Sequence, residues 1–347
     1  MAVIDRARPA DRPAIAALYR RVFGNDAAEA SQLRWEWQYR RNPGLRAGGP
    51  SAWVAREGPA IVGHYGTIPV RLRVRGEEID ASWGTDVMVA PERRRQGIGE
   101  HLFAAWDANV GASLGIGLSE SSEHVFEKLR WPVAARVPCL VKPLTRRALR
   151  RGEWPVGVNR LVSAMTLPVV RIVSRRRPIG GELEPTRRFD ASVTRLWDRV
   201  APKLALSVRR DAPYLQWRYI APPHVRYSVV ILRREGEAAG YAVYRHVHEP
   251  RTRTTLLVDF LADPDDRPAQ LALFRFIDRE ARDADSDKIR CHTLHARFRA
   301  VLRRSGYFQM RSGLPLVARI NAVEVPDAFY RDAKRWHVTL GDSDLDH

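Results

Sequence analysis

The 347-residue chain has only two cysteines, Cys139 and Cys291, far apart and in no metal-ligand spacing. That argues against a disulfide framework and points to a reducing cytoplasm. No run of about eighteen uncharged apolar residues occurs, so no transmembrane helix is expected. The opening MAVIDRARPADRP has no apolar signal core and reads as folded protein. No Gly-Lys-Ser/Thr phosphate loop, metal-ligand cluster or Ser-His-Asp arrangement is visible. The segment GLSES lacks the final glycine of a nucleophile elbow.

What the chain has in excess is arginine. The net charge is +18, a field that attracts coenzyme phosphates, phospholipid headgroups, nucleic acid and acidic substrates alike. A nucleic-acid partner would rest on that charge alone, because no binding motif accompanies it. Hydrophobic residues make up 45% of the chain and include ten tryptophans, ample for the two domains its length favours.

Turn and periodicity signals give β-α-β-β-β-α-β-α-β over the first part, a mixed α/β sheet with parallel pairing late in the unit. Asp11 is placed to cap a helix with Pro13 in its first turn. LRWEWQYRRNPG follows as an aromatic segment closing on a turn. Residues 143–180 are apolar at the centre, with Arg146, Arg147, Arg150 and Arg151 before and Arg175, Arg176 and Arg177 after. They read as an interdomain helix or as an element meeting an anionic membrane surface.

The second half echoes the first. YLQWRYIAPPH matches RWEWQYRRNPG, setting Trp217 against Trp37 and Tyr219 against Tyr39. EGEAAGYAVYR sets Gly240 against Gly63, and LLVDFLADPDDR sets Asp259 against Asp86 and Pro264 against Pro91. Two further matches, RFDASVTRLWDRVA with PADRPAIAALYRRVF and LRRSGYF with FEKLRW, keep the same order. Two copies of one fold are expected: a first domain over 1–142, a linker over 143–180, a degenerate copy over 181–325 and a tail over 326–347.

The chemistry concentrates in VMVAPERRRQGIGEHLF, residues 87–103. A strand ends at Pro91, an arginine-bearing turn leads to Gly97-Ile98-Gly99, and a helix begins. Glycines let the backbone approach an anion, and unpaired first-turn amides with the helix dipole favour one. Leu102 stands where a dinucleotide fingerprint needs its third glycine. Arg94-Arg95-Gln96-Gly97-Ile98-Gly99 resembles the Arg/Gln-x-x-Gly-x-Gly/Ala signature of the GCN5-related N-acetyltransferase (GNAT) family. The preceding V-x-V-x-P strand and the downstream FEKLRW strengthen the resemblance, which covers roughly residues 3–142.

The resemblance implies two tandem GNAT-like domains and acetyl-coenzyme A as co-substrate, with no metal. Val87, Met88 and Val89 would hold the pantetheine arm. The turn and first helical amides (Arg94, Arg95, Gln96, Gly97, Ile98, Gly99, Glu100) would hold the pyrophosphate, and Ser119 would stand at a position where the family often has asparagine. Phe126 occupies the place of the tyrosine that often protonates the leaving thiolate. The candidate bases are Asp86, in an apolar strand beside the expected acetyl position, and Glu120, where acceptors enter; Glu123, His64 and His124 are weaker. Trp35, Trp37, Tyr39 and Tyr65 line an acceptor pocket or pack the core.

In the second copy both glycines are gone, and Asp265 and Asp266 would repel a pyrophosphate. The expected activity is transfer of an acetyl group to a primary amine of a small molecule or amino sugar. The alternatives are a polymer- or lipid-linked acceptor at a membrane surface, reached through the 143–180 linker, and a non-catalytic acyl-coenzyme A binder.

Overall fold

The computed structural model describes residues 2–45, 50–118, 120–131, 133–149, 164–168, 170 and 181–344. Ser119, the side chain of Glu120 and most of the 143–180 segment lie outside the described residues.

The first copy opens with β1 (Val3–Arg6), α1 (Arg12–Phe23) and α2 (Asn25–Tyr39). Then come β2 (Ala52–Glu57), β3 (Ala60–Val74), β4 (Glu77–Val89), α3 (Ile98–Asp107), β5 (Ala112–Ile116), α4 (Glu120–Lys128) and β6 (Val133–Pro143). Helix α2 takes in most of the aromatic segment, to which the sequence assigns no element. Gly24, at φ 92°, breaks the run after α1, and the chain restarts as a helix that buries Trp35, Trp37 and Tyr39. Its apolar residues are spread around the helix, so no clean 3.6-residue stripe announces it. Asp11 precedes α1, but its carboxylate does not cap it. It accepts from the Arg8 amide (2.6 Å) and from both ends of the Arg56 guanidinium.

The second copy repeats the order with β7 (Glu182–Thr186), α5 (Ala191–Val200), β8 (Leu206–Val208), β9 (Ser228–Arg234), β10 (Glu237–Glu249) and β11 (Thr252–Ala262). It continues through α6 (Arg267–Asp283), β12 (Lys288–His292), α7 (Ala296–Arg304) and β13 (Phe308–Ile320), and a short β14 (Trp336–His337) lies in the tail. The repeat glycines now have a physical cause. A Cβ on Gly63 would meet Ile98 and Leu102 of α3 at 3.0–3.1 Å, and one on Gly240 would meet Leu273 of α6 at 2.9 Å. Each copy needs that close helix–strand approach.

All strands join one sheet, ordered β1-β2-β3-β4-β5-β13-β6-β12-β11-β10-β9-β7, with β14 and β8 attached beside β3. The last strand of each copy has crossed over. β6 pairs with β12 of the second copy (Cys291 opposite Leu140), and β13 pairs with β5 of the first (Val317 opposite Gly115). The exchanged strands also pair with each other, from Phe308–Val141 to Val317–Val133. Lys142 of β6 is thereby buried and ion-paired with Asp278 of α6. Burial pulls the Lys142 ammonium pKa down, and the Asp278 carboxylate opposes that pull. No helix among the described residues is long and apolar enough to cross a membrane.

The two copies also meet through Trp37 and Trp217, equivalent residues of the repeat. Their rings stack at 4.6 Å and 8°. Each indole N–H donates to the other residue's carbonyl oxygen, both at 2.8 Å. The reciprocity is what an approximate two-fold axis through the pair requires. Replacing either tryptophan by alanine should lower unfolding free energy by about 3–5 kcal/mol. The double variant should lose less than the sum, because the two share one stack and one hydrogen-bond pair. Urea unfolding of the four proteins checks this; full additivity would show that the residues stabilise their copies separately.

Candidate active site

Strand β4 is bound to β5 only at Ser82–Ser113 and Trp83–Leu114. Beyond Trp83 the two strands part, and the β5-facing backbone edge of β4 through Val87, Met88 and Val89 has no strand partner. On its other edge β4 stays paired with β3, through Tyr65–Val87, His64–Met88 and Gly63–Val89. One extra residue enters β4 here, so that Thr85 and Asp86 stand opposite Gly66 alone. Such a bulge re-aims the side chains beside it. Asp86 consequently points to the α1/α2 face, where Arg34 of α2 closes an ion pair at 2.5 Å.

Around that pair lie Tyr19, Tyr39 and His64. The Arg34 guanidinium holds its proton more tightly than usual: burial opposes the charge, but Asp86 together with Tyr19, Asp344 and Tyr39 more than offsets it. Burial raises the Tyr19 and Tyr39 phenols well above their ordinary range, so both stay neutral. The Tyr39 hydroxyl is buried without a hydrogen-bond partner beside Gly66, where a Cβ would come within 2.3 Å of it. His64 is fully buried and its pKa is pushed down to about 4, chiefly by burial and partly countered by Asp86. Asp344, near the end of the tail, also acts electrostatically on Arg34, Tyr39 and Tyr65.

On the opposite face of the sheet an aromatic wedge fills the ground beneath the parting strands. Tyr65 packs on Phe103 (4.5 Å), Phe103 on Phe126 (4.8 Å) and Phe126 on Trp131 (4.9 Å). Phe126 is therefore a buried core ring, and Tyr65 belongs to the same core. Trp35 packs on Tyr39 (4.7 Å), while Trp37 is spent on the contact between the copies. Of the four aromatics proposed for an acceptor pocket, Tyr39 has a hydroxyl without a hydrogen-bond partner, and that hydroxyl is buried.

After β4 the chain turns through Pro91–Arg93 and enters α3. Arg95 (φ 63°) and Gly97 (φ 78°) both take left-handed backbone conformations. Gly97 carries the helix N-cap position with no side chain to cap it. The amides of Ile98, Gly99 and Glu100 thus lack helical acceptors, the first backbone bond being His101 to Gly97 at 3.1 Å. A Cβ on Gly99 would meet nothing within 4 Å, so open space lies where an anion would sit. Arg94, Arg95 and Gln96 are exposed around it. Glu100 is tied to Lys128 of α4 at 2.6 Å.

The second copy has the same carboxylate after the same bulge. Asp259 accepts from Arg210 (3.3 Å), Tyr241 (2.8 Å) and Thr339 (2.8 Å), all buried. There the cleft is full. Strand β11 leaves β12 after Leu257–Cys291, and the tail enters the gap through a Thr293–Thr339 bridge. Tail carbonyls of Gly341 and Ser343 accept from Arg218, and Asp342 accepts from Arg210 at 2.7 Å. The N-terminus of α6 is capped by Asp266, whose carboxylate accepts from the Ala269 amide at 3.0 Å. A carboxylate thus meets a first-turn amide of α6, where the first-turn amides of α3 are left open.

Residues 3–119 match the family model described as an acetyltransferase (GNAT) domain. The chain carries a GNAT acyltransferase domain. The GNAT fold also extends over both copies in solved structures. A GCN5-related N-acetyltransferase from Anabaena variabilis ATCC 29413 is 13% identical at TM-score 0.62, over 92% of this chain and 73% of that one. A probable N-acyltransferase from Enterococcus faecalis V583 is 13% identical at TM-score 0.63, over 93% and 73%. Saccharomyces cerevisiae N-myristoyltransferase with bound myristoyl-CoA is 12% identical at TM-score 0.59, over 92% and 79%. No curated protein sequence matches the chain significantly.

Within the GNAT domain the structure brings together Asp86, the Val87–Val89 edge and the Gly97–Glu100 amides. Glu120 begins α4 and Glu123 lies half-buried on it, with His124 exposed. Arg34 and Tyr19 went unnoticed in the sequence. Their signal is faint: Arg34 stands 52 residues and Tyr19 67 residues before Asp86, each on a helix. Among the described residues no cluster of three metal-ligating side chains occurs.

Burial holds His64, His292 and His295 near pKa 4, and pushes His337 well below its ordinary value. The unfolded chain protonates each near pH 6.5, the native chain only near 4. Stability is therefore full above about pH 6.5 and falls as pH drops toward 4, by up to about 1.4 kcal/mol per pH unit per histidine. Urea unfolding at stepped pH should show this slope, reduced by about one proton in His64→Gln. An unchanged slope would mean that His64 ionises alike in both states.

Proposed function

We propose that the chain is an N-acetyltransferase that moves an acetyl group from acetyl-coenzyme A to a primary amine of a small molecule, at the first cleft. The observation that carries this reading is the free β4 edge running straight into an uncapped helix N-terminus. The edge offers backbone hydrogen bonds to an amide-bearing pantetheine arm, and the amides of Ile98, Gly99 and Glu100 suit its pyrophosphate. Cofactor chemistry would lie in the thioester, and the chain's part is to orient it and manage protons.

In the step proposed, the amine nitrogen attacks the acetyl carbonyl carbon, the C–S bond breaks, the thiolate leaves with its electron pair, and the proton shed by the new amide nitrogen passes through water to that sulfur. The amine arrives as an ammonium and must lose a proton first. Asp86, fixed by Arg34, would hold that ammonium, and Glu120 at the start of α4 would take its proton. His64 is too weak a base at a pKa of about 4 to do so. Ser119 lies outside the described residues, and its proposed contact rests on the sequence alone.

The aromatic wedge favours a short acyl group. Tyr65, Phe103, Phe126 and Trp131 fill the space beneath the parting strands, leaving little depth for an alkyl chain on that face.

Calorimetric titration of acetyl-coenzyme A into the wild type and Gly99→Glu tests the placement. Gly99 has an ordinary φ and open surroundings, so the variant should fold with unchanged Tm while losing binding at least tenfold. Gly97→Glu is the poorer probe, since its left-handed backbone adds strain. No binding by the wild type would overturn the reading. Release of free thiol with amines then separates an enzyme from a non-catalytic binder.

A further inference from the structure

The +18 charge is not spread over the molecule. Residues 129–181 hold twelve Lys and Arg against one Glu, and residues 288–323 hold eight against none. These two segments contain more than the entire net charge of the chain. The strand exchange sets β6, which carries Arg136 and Lys142 of the first segment, between β12 and β13 of the second, while seven of the first segment's twelve cations lie outside the described residues.

Part of that charge is spent inside the protein. Lys142 is paired with Asp278, Lys288 and Arg290 with Glu249, Arg297 with Asp265 and Arg319 with Asp107. Arg303 and Arg304 at the end of α7 and Arg311 in β13 are exposed and have no carboxylate partner among the described residues. Among the described residues, four of the seven exposed large hydrophobic residues lie in the same two segments: Val133, Met165, Phe308 and Met310. Strand β13 also bulges here. Gln309 faces Leu140 and Gly313 faces Pro138, so Met310, Arg311 and Ser312 stand against Cys139 alone and are pushed outward.

We infer that this face, the end of α7 with the first residues of β13, docks on an anionic phospholipid bilayer. The arginines meet headgroup phosphates while Phe308 and Met310 enter the acyl boundary. Apolar side chains at the tip of a bulge set a bilayer above a nucleic acid, which would leave a methionine there unused. The surface is separate from the acyl-coenzyme A cleft, so the inference stands or falls independently of the proposed activity. It also uses residues other than the 143–180 segment, most of which lies outside the described residues.

Co-sedimentation of the full chain with phosphatidylglycerol/phosphatidylcholine vesicles, and with phosphatidylcholine alone, gives the test. Binding should require the anionic lipid, and Arg303→Glu/Arg304→Glu/Arg311→Glu should weaken it by at least about tenfold. Phe308→Ser/Met310→Ser should remove the fraction that survives high salt. Unchanged Tm and circular dichroism show that the variants fold. Absence of vesicle binding by the wild type, equal binding by the variants, or displacement of the vesicles by a short DNA duplex that binds the same arginines more tightly would overturn the inference.

Discussion

Everything in this molecule depends on the exchange of final strands between its copies. A first copy left with β1 to β5 would expose a full row of unpaired backbone groups on β5, and a second copy would do the same at β12. Each supplies what the other lacks, and the seam between β6 and β13 fuses two sheets into one. Trp37 and Trp217 close the same relation from the helical side, each spending its indole N–H on the other's backbone. The ion pair of Lys142 with Asp278 ties the crossed strand to the α6 helix of its new sheet. Removing one partner of such a buried pair typically costs about 3–5 kcal/mol, which penalises an uncrossed β6.

Duplication has left two clefts that began alike. Each has a bulge before a carboxylate, and an arginine against that carboxylate: Arg34 on Asp86, Arg210 on Asp259. In the second, tyrosine, threonine and the tail satisfy the remaining valences, and Asp266 caps the helix that could have received phosphate. In the first, the helix start is uncapped, Gly99 faces open space and the Tyr39 hydroxyl is unmet. Unsatisfied polar groups are costly, so natural proteins keep few of them. What separates the two clefts is the start of the helix, uncapped beside open space in the first and capped by Asp266 in the second.

Much of the first cleft could be read in advance because its parts are local. The turn, the glycines and the helix start are neighbours in sequence, and the Trp37/Trp217 and Gly63/Gly240 matches made the duplication visible. The strand exchange could not be read, since β6 shows the same apolar pattern whichever copy it joins. Helix α2 was missed because its buried residues follow no single stripe. Asp11 looked like a cap by position, but Arg56, forty-five residues on, claimed its carboxylate. Nor did the tail announce itself as the filling of the second cleft: Thr339, Gly341 and Asp342 acquire meaning only from Asp259, Arg218 and Arg210.

Phe126 joins these threads. On the acyltransferase reading, a ring without a hydroxyl stands where a proton donor would help the thiolate leave. The structure gives the ring another task, holding Phe103 and Trp131 in the wedge under the parted strands. A thiol of pKa about 8.5 is a fair leaving group unprotonated. The uncapped amides and exposed arginines at the start of α3 add positive potential on the coenzyme side. Charge stabilisation by fixed dipoles can then carry the step that a tyrosine acid would otherwise assist. The residue that stands in the acid's place is thus spent on packing, in contact with Phe103 and Trp131.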